Sequence, residues 1–100
     1  MTSDHPSLPV TLNTALQRLE VHAGGVVSFL SYTGEGDAVV MDHTYVPAEF
    51  RGHGVGATLA RAALDEARRR RWKIIPRCLF VAAFVERNPE FADLVDPRPS

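Results

Sequence analysis

Apolar and polar residues alternate along the first half of the chain and recur every third or fourth position along the second. Arg18 to His22 sets Leu19 and Val21 against Arg18, Glu20 and His22, the period-two pattern of a half-buried strand. Ala23-Gly24-Gly25 is a turn signal, and Gly25 to Tyr32 reads as the strand returning from it, so the pair predicts a β-hairpin. Thr33 to Asp37 reads as the next turn. Ala38 to Val46, rich in β-branched and aromatic residues, predicts a third long strand, and Val10 to Asn13 a short first one. Together these segments form an antiparallel meander.

The period then changes. Val55, Leu59, Ala60, Ala63, Leu64 and Ala67 recur at helical spacing, which predicts an amphipathic helix from Val55 to Arg71. Alanine is frequent there, and the run Arg68 to Arg71 falls where cations complement the helix dipole, as a solvated helix end. Trp72 to Pro76 reads as a strand that Pro76 ends or places at an edge. Phe80 to Arg87 reads as a second helix stopped by Asn88-Pro89, and Glu90 to Val95 as one further turn. A strand–helix–strand unit implies a parallel pair joined by a right-handed crossover. The expected fold class is α/β (α+β): a mixed, mostly antiparallel sheet with one main helix on a face. Residues 1–9, polar and with two prolines, read as a disordered tail; residues 10–96 read as one domain, with fraying after Asp96.

Composition narrows the function classes. Eleven Lys and Arg oppose twelve Asp and Glu, a net charge of -1 that gives no electrostatic reason to expect nucleic acid. The lone cysteine, Cys78, excludes an intramolecular disulfide and fits a reducing cytosol. The opening segment lacks the apolar core of a signal peptide, and the apolar run Leu79 to Val85 is too short to span a bilayer, so no membrane is expected. No metal site is expected.

Candidate chemistry concentrates between the third strand and the main helix, in Arg51-Gly52-His53-Gly54-Val55-Gly56. Glycines let a ligand approach the backbone closely, and a helix start offers unpaired N–H donors with about half a positive charge. The combination makes an anion site suited to a diphosphate. The pattern G-x-G-x-G is not the dinucleotide fingerprint G-x-G-x-x-G. Nor does Gly56-Ala57-Thr58 supply the lysine of a P-loop.

Val46 followed by Arg51-Gly52-x-Gly54-Val55-Gly56 resembles the coenzyme-binding signature of the GNAT superfamily of N-acetyltransferases. Adding His43-Thr44-x-Val46 and Ile75-Pro76-x-Cys78, the chain is similar to a short, one-domain branch of that superfamily over roughly Gly25 to Val95. The resemblance implies a GNAT-like fold and acetyl-coenzyme A as cosubstrate. It places the diphosphate on the amides of Arg51, Gly52, His53, Gly54, Val55 and Gly56, with the pantetheine arm along Tyr45 and Val46, where that strand splays from the Lys73–Cys78 strand. It implies transfer of acetyl to a primary amine, such as an exposed lysine or peptide amine, by direct attack in a ternary complex. Larger members carry N-terminal helices that shape the acceptor site. The segment before Arg18 is too short and polar to supply them, so an open site, or one completed by a partner protein, is expected.

Three residues are candidates for proton transfer. Histidine as a residue type has an unperturbed pKa close to neutral, and His43 sits before the expected thioester position; alternation places it on the face of Met41 and Tyr45, and the competing reading is a buried strand histidine. Glu49, in the loop beside the glycine turn, is a second base candidate or simply a solvated glutamate. Cys78 is a candidate to protonate the departing thiolate or to accept the acetyl group itself, against the reading of a small buried apolar residue. The alternative function is a non-catalytic module that binds or senses acetyl-coenzyme A with a partner protein; a third is a purely structural interaction domain.

Overall fold

The structure is a computed structural model and describes residues 9–35 and 37–97. Five strands, β1 (Thr11–Asn13), β2 (Arg18–Ala23), β3 (Val26–Glu35), β4 (Ala38–Tyr45) and β5 (Lys73–Pro76), form one sheet in sequence order. β1 to β4 are antiparallel, and β5 lies parallel to β4. The helix α1 (Val55–Arg70) makes the crossover between them, and α2 (Leu79–Arg87) follows β5. This is the mixed sheet with a strand–helix–strand unit that the periodicity predicts. A 3-10 segment, Pro89–Leu94, then returns the chain to β5, where Val95 bridges Ile74 and the Asp96 N–H donates to the Ile74 carbonyl at 2.8 Å. That return covers the outer edge of β5, which would otherwise be open to strand pairing.

Local chemistry explains the turns. Gly24 and Gly25 sit at φ +61° and +77°, and a two-residue hairpin turn that follows the strand twist needs positive φ at both positions. A Cβ on Gly24 would also stand 2.9 Å from the Phe50 ring, so the hairpin tip packs against the loop after β4. β3 continues to Glu35, further than expected, which shortens the following turn. The expected tail over residues 1–9 lies, except for Pro9, outside the described residues.

One face of the sheet carries the core. Leu19, Val21, Leu30, Tyr32, Met41 and Ile74 join Leu59, Ala63 and Leu64 of α1 and Val81 and Phe84 of α2 in a single buried cluster. Leu30, Leu59, Leu64, Ile74 and Val81 are fully buried. Each such side chain gains about 1.5–3 kcal/mol from leaving water. Both helices therefore pack on this face. The residues paired across the other face run Thr11, Glu20, Phe29, Tyr45 in one row and Asn13, Arg18, Ser31, His43 in the next.

A bulge separates the two halves of β4. Ser31 pairs with His43 while Tyr32 pairs with Met41, so Asp42 is an extra residue. Asp42 accepts the Ser31 hydroxyl at 2.8 Å and the Thr33 hydroxyl at 3.3 Å. One extra residue reverses the alternation beyond it. Met41 points into the core, and His43 and Tyr45 point to the opposite face, contrary to simple alternation. His43 is exposed, so the buried-histidine reading is overturned. Among the described residues no helix is long and apolar enough to cross a membrane.

Candidate active site

The ladder between β4 and β5 ends at Met41 and Pro76, and the Cys78 N–H closes it with a bond of 3.0 Å to the Met41 carbonyl. β4 runs on to Tyr45, so its edge from Asp42 to Tyr45 has no strand partner on that side among the described residues. The chain turns through Ala48–Phe50 and the glycine segment into α1. A cleft of about 650 Å³ opens there. Its walls are the end of β4 (His43 to Val46), the turn from Phe50 into the first residues of α1, and one face of α2.

The start of α1 is bare. Gly54, the N-cap, lies at φ +79° and offers no side chain to cap the helix; the first turn has no acidic residue. The N–H groups of Val55, Gly56 and Ala57 have no intrahelical acceptor by construction. Gly52 also has positive φ, +85°, and no atom lies within 4 Å of where a Cβ would stand at either glycine. Their left-handed backbone, rather than crowding, requires glycine there. Gly56 differs: a Cβ would meet the Phe80 ring at 2.9 Å, so this glycine admits Phe80 against the helix. Open amides, a helix dipole and no competing carboxylate form a donor set that fits a diphosphate.

The structure brings most of the sequence-predicted residues together. His43, Tyr45, Val46, Arg51, Gly52, Gly54, Val55 and Gly56 line the cleft. His43 and Tyr45 pack as tilted rings on Phe29, with centroids 5.9 and 5.6 Å apart. Arg51 donates from Nε to the Val46 carbonyl at 3.1 Å, which ties the turn to the end of β4. Glu49, His53 and Cys78 are not among the lining residues. Glu49 and His53 are exposed beside the cleft. Cys78 is half-buried at the cap of α2, its Sγ 3.4 Å from Oγ1 of Thr44, and Thr44 does line the cleft. Cys78 therefore stands one side chain behind the wall.

Sequence reasoning missed the α2 side of the cleft: Phe80, Ala83, Phe84, Arg87 and Asn88. Phe80 remains 42% exposed, and Leu79 beside it 86%. An aromatic residue opening a helix reads as core from pattern alone; its contact with Gly56 is a long-range fact. On the open face nearby, Glu20 is buried among Arg18 (2.6 Å), His22 (2.9 Å) and Asn13 (3.0 Å). Hydrogen bonds from Arg18 first, then His22 and Asn13, outweigh burial and hold its carboxyl down at about 2. Arg18 also covers the Phe29 ring at 4.5 Å.

Known proteins agree with this architecture. A family model described as GCN5-related N-acetyl-transferase matches residues 18–94. Protein NATD1 of Xenopus tropicalis is 35% identical over 63 residues, 63% of this chain and 57% of that protein; the chain thus spans little more than half of that relative's length. A GCN5-like protein of Staphylococcus aureus, solved by NMR in solution, superposes with a TM-score of 0.70 at 23% identity, covering 93% of this chain and 92% of the other, which shows a shared fold. With its five-strand mixed sheet, bulged β4, glycine turn and uncapped helix start, the chain belongs to the GCN5-related N-acetyltransferase family.

Proposed function

We propose that this protein binds acetyl-coenzyme A in the cleft and transfers its acetyl group to a primary amine by direct attack. The observation that carries the reading is the uncapped start of α1 opening into a cleft that continues along the unpaired edge of β4. The amides of Val55, Gly56 and Ala57, with Arg51 beside them, would hold the diphosphate. The unpaired backbone of β4 near Tyr45 and Val46 offers a donor to polarise the thioester carbonyl. The bound coenzyme supplies the activated acyl group; the residues supply position and proton management.

The amine must attack as the neutral base. For a lysine with an ordinary value near 10.4, neutrality at pH 7 costs about 4–5 kcal/mol. His43 lines the cleft, is exposed, and lies beside the β4 edge, so we assign it as the base that takes the ammonium proton. The new C–N bond forms as the C–S bond breaks, and the departing thiolate takes up a proton. Glu49 stands outside the lining and would act through water. For Cys78 to donate that proton, or to accept the acetyl group, it must act past Thr44, which favours direct transfer. The acceptor approaches the open face of the sheet beside Phe29 and Tyr45, where a protein amine has access. A reducing cytosol keeps Cys78 a thiol.

The test is release of free thiol from acetyl-coenzyme A across a panel of amines and lysine peptides. Release with an amine, lost in His43→Gln with coenzyme affinity intact, supports the reading. Saturable binding with no release leaves a sensing module that works with a partner protein. Intact-mass measurement after incubation with acetyl-coenzyme A alone should show no acetylated Cys78; a 1:1 adduct there would overturn direct attack.

A further inference from the structure

The cleft holds two exposed arginines at different places along it. Arg51 flanks the glycine turn, with its Nε committed to the Val46 carbonyl. Arg87 stands in the last turn of α2. Other arginines of the helical layer are engaged: Arg61 with Asn88 at 3.2 Å and with Glu90, and Arg68 with Asp93 at 3.0 Å. Arg87 has no ion pair or hydrogen bond among the described residues, although it lines the cleft.

Its place on α2 is informative. Phe80, Ala83, Phe84 and Arg87 fall at i, i+3, i+4 and i+7, so they share the face that lines the cleft. Phe80 begins that face against Gly56. Arg87 is seven residues further, about 10 Å along the helix axis. Helical side chains lean toward the N-terminus of their helix, which for α2 is the end that carries Phe80 beside Gly56. Between the glycine turn and Arg87 the wall is apolar, formed by Ala57, Phe80 and Ala83. The cleft therefore presents, in order, bare helix amides, an apolar wall and an uncommitted guanidinium.

We infer that Arg87 takes a second phosphate of the same ligand, the 3′-phosphate on the ribose of coenzyme A, and so makes the protein prefer coenzyme A to its dephospho form. The inference rests on the coenzyme reading above. One ribose that carries a 5′-diphosphate and a 3′-phosphate sets two anionic groups a short distance apart, which suit the bare amides and the Arg87 guanidinium of one cleft, while its flat base suits the apolar wall. The planar fork of arginine gives a phosphate monoester two parallel charge-assisted bonds, which a ligand lacking the 3′-group forgoes.

The experiment is calorimetric titration of the wild-type protein, Arg87→Gln and Arg71→Gln with coenzyme A and with 3′-dephospho-coenzyme A at low salt. Arg71, exposed at the far end of α1, controls for net charge. The wild type should bind coenzyme A about tenfold more tightly than the dephospho form, and added salt should narrow the gap. Arg87→Gln should bind both ligands with the wild type's affinity for the dephospho form, while Arg71→Gln keeps the preference. Equal wild-type affinities overturn the inference and leave the coenzyme reading standing. So does a preference that survives in Arg87→Gln, or one lost equally in Arg71→Gln. Saturation by neither ligand overturns both.

Discussion

The two ends of α1 are built on opposite terms. At the C-terminus the side chains of Arg68, Arg69 and Arg70 each have a partner. Arg71 ends the helix at φ +60° with its N–H on the Ala67 and Arg68 carbonyls, and Arg68 reaches the Asp93 carboxylate and the Glu90 carbonyl of the 3-10 segment. Arg69 and Arg70 close on the buried Glu66, and Arg70 covers the Trp72 ring at 5.5 Å. Arg68 thus pins α1 to the chain's last turn, so the arginine run is not only the solvated helix end its composition predicts. The N-terminus has no capping side chain and no carboxylate in its first turn. A helix end left open costs stability unless water or a ligand satisfies it. One end of the helix therefore serves the fold, and the other is left open.

That contrast breaks most sharply at Gly54. Gly54→Asp puts a carboxylate at the amide cluster, in a left-handed position an aspartate tolerates at a cost of about 1–2 kcal/mol. Like charge against a diphosphate costs several kcal/mol. We expect coenzyme affinity to fall about a hundredfold by calorimetry, with thermal unfolding still cooperative. An unchanged affinity would move the phosphates away from α1.

Gly56→Ala probes the adjoining wall. The added methyl meets Phe80 at 2.9 Å, so the ring, which lines the cleft, must give way. We expect about a tenfold loss of coenzyme affinity, from crowding of a packed contact. Phe80→Leu should restore part of it, and a double-mutant cycle should show coupling between the two positions. Strictly additive effects would mean that Gly56 acts through its backbone alone.

The sequence made the fold legible where a short period decides it. Leu19 and Val21 announce a strand, Gly24-Gly25 a hairpin, and Leu59, Ala63 and Leu64 a helix face. The glycine turn was equally plain, because left-handed backbone leaves a glycine signature. What pattern could not show were events between distant residues. Asp42 is one extra residue in β4, detectable only by counting partners in β3, yet it moves His43 from the core face to the open one. Phe80 and Arg87 read only as the two ends of a helix until α2 is docked beside Gly56. Cys78 follows β5 as expected, but its contact with Thr44, 34 residues away, decides what it can reach.

The smallest expected effect sharpens the comparison from the structural end. The Arg70 hydrogen bond, with Arg69 beside it, outweighs burial and lowers the Glu66 carboxyl below its ordinary 4.5. A carboxyl lowered by folding binds protons less readily folded than unfolded. Its stabilising contribution is whole above about pH 4.5 and drains as acid protonates it in the folded state. Glu66→Gln should therefore cost about 1 kcal/mol in urea unfolding at pH 7, since its arginine partners are largely exposed. The gap to the wild type should narrow below pH 4.5. Glu20, held at about 2, sustains its own contribution further into acid, so Glu20→Gln should remain distinguishable from the wild type at pH 3. Coenzyme affinity should stay within twofold of wild type in Glu66→Gln, because α1 separates Glu66 from its bare end by ten residues, about 15 Å of helix. A binding loss as large as that of Gly56→Ala would show that the two ends of α1 act together, and the division between fold and ligand would have to be drawn elsewhere.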